Sequence, residues 1–100
     1  MALSRFYKQI SEEFPIGADF SENMESTETI SSQTISAVDT AGADATADIL
    51  ENPTNDGAQM ALIKVKAGTE ALSPYKITFK VTTSLGYKWE LDVEMQINEL

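Results

Sequence analysis

The chain has 100 residues, 42% of them hydrophobic, with seven Lys or Arg against sixteen Asp or Glu and a net charge of −9. That is enough chain for one core, without the basic footprint of a nucleic-acid binder and with a charge that an anionic membrane repels. Cysteine and histidine are both absent, which excludes disulfide frameworks, thiolate zinc sites, cysteine nucleophiles and histidine bases.

At the N-terminus, Leu3, Phe6, Tyr7 and Ile10 have helix-like spacing and Ser4 can cap a short turn; the alternative is a flexible arm. The segment lacks the sustained apolar run of a secretory signal, and no stretch approaches the roughly 18 apolar residues that span a bilayer. The expectation is residence in the cytoplasm. Residues 1–13 are therefore set apart as an arm and residues 14–100 as the domain. Leu3, Phe6, Tyr7 and Ile10 are the candidate protein-interaction residues, because the pattern downstream does not need them. Arg5 and Lys8 are the only bases before Lys64, so the arm suits the acidic surface of a neighbouring copy.

Residues 14–20 read as a first strand that Pro15 and Gly17 confine to a sheet edge. Residues 29–38 are rich in Ser, Thr and Ile, and their apolar parity changes between Ile30 and Ile35, which predicts a bulge or a switch of sheets. A Gly/Ala/Asp loop follows over 39–44, then a short strand candidate over 46–50 carrying Ile49. Asn52-Pro53-Thr54-Asn55-Asp56-Gly57 is a dense turn cluster. Residues 59–66 form a strand with Ala61, Ile63 and Val65 inward.

The last quarter is the most regular. Tyr75, Ile77, Phe79 and Val81 alternate with Lys76, Thr78, Lys80 and Thr82. Tyr87, Trp89, Leu91, Val93, Met95 and Ile97 alternate with Lys88, Glu90, Asp92, Glu94 and Gln96. Two period-2 runs joined by Thr83-Ser84-Leu85-Gly86 predict an antiparallel hairpin over 75–97. Its lysines are placed to pair with Glu90, Asp92 or Glu94. Tyr75 opens the penultimate strand, where a Tyr hydroxyl bonds back to upstream backbone as a tyrosine corner. The predicted core comprises Ile63, Val65, Tyr75, Ile77, Phe79, Val81, Trp89, Leu91, Val93 and Met95.

Asp39, Asp44, Asp48, Asn55 and Asp56 offer oxygens for calcium, but they lack EF-hand spacing and read better as solvated loop acids. Tyr75, Phe79, Tyr87, Trp89 and Phe14 offer an aromatic platform for sugars, against the simpler reading that they build the core. Nothing marks a carboxylate pair for acid–base work, and no phosphate-binding glycine loop occurs. The expectation is a non-enzyme with no metal and no cofactor.

Several segments occur together in order: Asp19-Phe20-Ser21, Glu28-Thr29-Ile30-Ser31-Ser32, Gly68-Thr69 leading to Tyr75-Lys76-Ile77-Thr78, and Val81-Thr82-Thr83-Ser84-Leu85-Gly86-Tyr87. The set resembles small immunoglobulin-like structural proteins of tailed bacteriophages and prophages, of the fiber–tail adaptor or virion structural type, over roughly residues 8–97. The chain departs from that pattern at Thr27 before Glu28, at residues 70–74 and at Tyr87 after Gly86. The resemblance implies an all-β, immunoglobulin-like antiparallel β-sandwich of about seven strands with a short N-terminal arm or helical turn. It also implies a virion structural role at the tail or fiber junction, exercised through contacts with other virion proteins and with possible homo-oligomer formation. Neither nucleic acid nor membrane is an expected partner; the expected locations are the bacterial host cytoplasm during assembly and the virion. The alternative function is an immunoglobulin-like carbohydrate-binding module for host-surface glycans.

Overall fold

The computed structural model describes residues 4–98. Seven strands form two sheets. β1 (Ser4–Lys8), β7 (Lys88–Ile97), β6 (Tyr75–Thr83) and β3 (Ile30–Val38) lie in that order in a four-stranded sheet. β2 (Phe14–Asp19), β5 (Met60–Val65) and β4 (Leu50–Asn55) form a three-stranded one. The core lies between them, with Ala18, Phe20, Ile35, Ile49, Ile63, Val65, Ile77, Phe79 and Met95 all buried. An all-β, two-sheet chain is what the period-2 patterns predict.

β6 and β7 pair antiparallel from Tyr75 opposite Met95 to Thr82 opposite Lys88. The connecting turn closes with Thr83 N–H to the Tyr87 carbonyl at 2.8 Å, and Gly86 takes the positive φ of 84° that the turn needs. Lys80 meets Glu90 at 3.7 Å. Lys76 stands opposite Glu94, but Glu94 takes Arg5 of β1 as its ion-pair partner.

The parity change in residues 29–38 is a bulge: β3 shifts register against β6 between Ile30 and Ser32, which lets both Ile30 and Ile35 face the core. β2 is an edge strand, as Pro15 and Gly17 require.

Four expectations are corrected. Residues 4–8 are neither helical turn nor free arm: they form β1, which pairs with β7 in register Ser4–Val93 to Lys8–Ile97. That pair is parallel, so the sandwich is not wholly antiparallel. Residues 9–13 carry the chain across to the other sheet, so β1 is under no hairpin constraint on its direction. Of residues 46–50 only Leu50 is strand, as the first residue of β4. Thr46–Ile49 make one helical turn, α1, that swings the chain from β3 to β4 and drops Ile49 into the core. The cluster at residues 52–55 is strand, not turn, and the reversal comes at residues 56–59. β4 is an edge, where Pro53 costs no ladder bond and Asn52 at φ 59° forms a bulge.

The core forecast is corrected in one region. Trp89, Leu91 and Val93 pack against the core but are half-buried. β1 flanks β7 only from Val93 onward, so Trp89 and Leu91 sit on the stretch of β7 that has no outer neighbour.

Tyr75 is 2% exposed, and its hydroxyl accepts the Thr69 N–H at 3.0 Å. This bond pins the loop that holds Gly68. Gly68 has φ 93°, and a Cβ there would stand 2.9 Å from Ile97 Cδ1. Tyr75→Phe keeps the ring and strips the pin, leaving the Thr69 N–H without its acceptor in the protein. A loss of about 1–2 kcal/mol is expected in urea unfolding. Wild-type stability in this variant would remove Tyr75 from the account of that loop.

Candidate interaction surfaces

The residues singled out in the N-terminal segment meet different fates. Leu3 lies outside the described residues. Phe6 is turned inward and meets Phe14 edge-to-face, with ring centroids 6.0 Å apart at 72°. Tyr7 and Ile10 stay at the surface, 59% and 40% exposed. Lys8 is not available to an acidic neighbour: it is buried, and its ammonium donates to the carbonyls of Gln9, Ile10 and Ala67 at 2.8, 2.9 and 2.6 Å. Arg5 is spent on Glu94, an ion pair that raises its pKa further above the ordinary range, with the Tyr7 hydroxyl adding to the effect. The arm docks on its own sandwich, with Tyr7 and Ile10 left outward.

The exposed large apolar side chains divide between two ends. Tyr7 is in register with Gln96, whose amide reaches Ser73 Oγ at 2.8 Å, next to exposed Leu72. Leu85 and Tyr87 are exposed in the hairpin turn at the start of β7. A ten-residue strand separates the two groups, roughly 30 Å. Tyr75 and Phe79 are buried, and Phe14 and Trp89 half-buried. The aromatics therefore make no continuous exposed row among the described residues.

The loop acids serve the backbone. Asp39 Oδ1 accepts the N–H groups of Ala41 and Ala43 at 2.9 and 3.1 Å. Asp44 accepts the Thr46 N–H and hydroxyl at 3.0 and 2.7 Å, and these bonds hold its pKa below the usual carboxylate value. Asp56 accepts from Ala58 and Met60. These are turn contacts that satisfy local donors. Among the described residues no group of three acids stands together in a way that could hold a metal.

Sequence reasoning missed a depression on the outer face of the four-stranded sheet, of about 430 Å³. Residues 80–82 and 88–90, paired across β6 and β7, line it together with Ser32 and Thr34 of β3. Its rim is hydroxyls, two lysines and Glu90. This whole face is unusual for the molecule. It carries Arg5, Lys76, Lys80 and Lys88 against Glu90, Asp92 and Glu94, whereas the chain as a whole is at −9. The even-numbered positions of residues 76–96 carry the signal for this balance, but the contribution of Arg5 depends on the unforeseen docking of β1.

Elsewhere, Glu28 is buried: one carboxylate oxygen accepts the Glu25 N–H at 3.0 Å and the Glu28 N–H returns to the Glu25 carbonyl. Gln59 ties both residues down through its amide. Lys64, on the central strand of the smaller sheet, joins Glu13 and Glu51 at 3.0 and 2.9 Å, which lowers the Glu51 pKa and raises its own. Among the described residues no helix is long and apolar enough to cross a membrane. No protein-family model matches the chain, and no curated protein matches it in sequence.

Proposed function

We propose that the chain is a non-enzymatic structural protein of a bacteriophage or prophage particle, an immunoglobulin-like sandwich at the tail or fiber junction that acts through protein–protein contacts. The observation that carries the fold part is the strand order. In β1-β7-β6-β3 over β2-β5-β4 the third, sixth and seventh strands share a sheet, a grouping also found in immunoglobulin-type sandwiches, while β1 joins that sheet and not the one holding the second, fourth and fifth strands. Tyr75 at the start of the penultimate strand, bonded back to Thr69, supports it as the corner of that fold.

The phage part rests on the resemblance, and the roles of its motif residues are consistent with it. Glu28 closes a turn onto Glu25, Ser31 Oγ reaches the Thr82 carbonyl at 2.9 Å, and Thr83 and Gly86 shape the hairpin. The contacts of these residues are turn and scaffold contacts, which suits a part whose work is to fit between neighbours. The surface agrees with that: short polar loops held by their own Asp side chains, and one near-neutral sheet face on an acidic body. The absence of an aromatic row among the described residues weighs against a glycan-binding module.

The test is localisation. An antibody against the chain should label the tail or its fiber junction in particles purified on a density gradient from the source culture. A chain found only in the particle-free fraction overturns the proposal.

A further inference from the structure

The depression on the outer face of the larger sheet follows from strand register. Ser32, Thr82 and Lys88 form one row across β3, β6 and β7, and Thr34, Lys80 and Glu90 form the next. Short hydroxyl side chains thus stand among three long charged ones, which leaves a space of about 430 Å³. Ligand-sized clefts run from about 300 to 1,000 Å³. The depression lies at the hairpin end of the sheet, next to the turn in which Leu85 and Tyr87 are both 56% exposed.

The polar groups around it are uncommitted. Among the described residues the hydroxyls of Ser32, Thr34 and Thr82 bond to nothing in the chain, whereas those of Ser31, Thr46 and Ser84 each engage a backbone group. Lys80 leans on Glu90 at 3.7 Å. Lys88 has no ion-pair partner among the described residues. β3 and β6 contain no acid at all. The sheet face carries four bases and three acids, which leaves three bases and thirteen acids for the rest of the chain. Asp44, the acid beside β3, bridges to Val38 at the strand's far end, four residue steps or roughly 13 Å from Thr34.

We propose that this depression takes an acidic segment of another protein. Carboxylates of the segment meet Lys80 and Lys88, and its apolar side chains pack on Leu85 and Tyr87. Charge complementarity selects that occupant. Two lysines against one acid favour an acidic partner and reject a basic one. In physiological salt the charge of the body is screened beyond about 8 Å, so the groups at the contact decide. Exposed apolar anchors beside a polar rim are the composition of a protein interface. A second copy fits less well, because its acids are already engaged. Asp19, Asp39, Asp44 and Asp56 accept N–H groups of their own turns, and Glu13 and Glu51 hold Lys64. The inference rests on the reading of the chain as a protein-contact part, and not on its place in a virion.

Trp89 also lines the depression and is the chain's single tryptophan, so its fluorescence reports occupancy. The probe is a tryptophan-free synthetic peptide of Glu residues around a central Leu-Leu pair. It should give a saturable change in Trp89 fluorescence, with amide NMR shifts confined to residues 32–34 and 80–90. Lys88→Glu should weaken binding at least about tenfold, and Lys88→Arg should retain it. Leu85→Ser should weaken it about threefold or more. Lys66→Glu, the same change of charge just past β5, should leave it within about twofold. The Lys88 and Leu85 variants should melt as wild type, since both side chains are exposed. No saturable response, shifts centred elsewhere, or equal losses in Lys88→Glu and Lys66→Glu overturn the proposal. A heparin oligosaccharide that binds as tightly as the peptide overturns it in favour of charge alone. Wild-type self-association that Lys88→Glu abolishes overturns it in favour of a second copy. None of these results bears on where the chain lies in a particle, and a particle-free chain leaves this binding test as it stands.

Discussion

Phe79→Ala should be the most damaging single truncation in the sandwich, costing about 3–5 kcal/mol in chemical unfolding. Phe79 is fully buried on β6, between Ile35 of β3 and Leu91 of β7 in the register of the larger sheet. It therefore has a strand on either side and the second sheet across the core, and little can collapse into the space it leaves. A 100-residue domain has only about 5–15 kcal/mol of stability to lose. The variant is expected to be partly unfolded at physiological temperature. Trp89→Ala is the informative comparison. The larger ring sits half-buried on the uncovered stretch of β7, so its removal should cost less, about 1–3 kcal/mol. If Trp89→Ala proved the worse of the two, the core would be centred nearer the hairpin turn than the burial pattern places it.

The difference between those two residues marks how far sequence reading reaches. Alternation says which side of a strand a residue faces, and on that score Phe79 and Trp89 are alike. Depth is set by what lies alongside, and β1 pairs with β7 only from Val93. The hairpin was legible because both of its strands carry two-faced patterns and the turn contains a glycine. The bulge in β3 was legible because it shifts parity within one strand. Asn52-Pro53 has turn composition and is read as a turn unless the strand is known to be an edge. Residues 46–50 carry too few apolar positions to tell one helical turn from a short strand.

The interaction surfaces were less legible for the same reason. Ser32 and Thr34 are ordinary outward positions until the pairing of β3 with β6 brings them to the depression on the sheet's outer face. Phe6, Tyr7 and Ile10 read as one apolar set, yet a five-residue strand turns Phe6 inward and Tyr7 outward. A parallel pairing across most of the chain length leaves no local signature in either segment.

Lys8→Met is expected to destabilise the protein by about 2–4 kcal/mol and to loosen β1. A buried ammonium is costly to desolvate, and Lys8 is 1% exposed. It is tolerated because it donates to three carbonyls, those of Gln9, Ile10 and Ala67. Two of these belong to the segment that leaves β1, and the third to the loop after β5, so one side chain fastens the crossing between sheets. Methionine fills similar volume but donates nothing, and it strands those oxygens away from water. The parallel ladder with β7 and the Asn98 N–H to Lys8 carbonyl bond at 2.9 Å hold β1 only while the crossing is fixed. Amide exchange in residues 5–8 should therefore accelerate in Lys8→Met beyond what the global loss accounts for, whereas exchange in β6 should follow global stability. Phe79→Ala should show the opposite, raising exchange everywhere together. If Lys8→Met left both stability and β1 exchange unchanged, the ammonium's desolvation would cancel its three bonds, and the docking of β1 would rest on Phe6 against Phe14 and the Arg5–Glu94 pair.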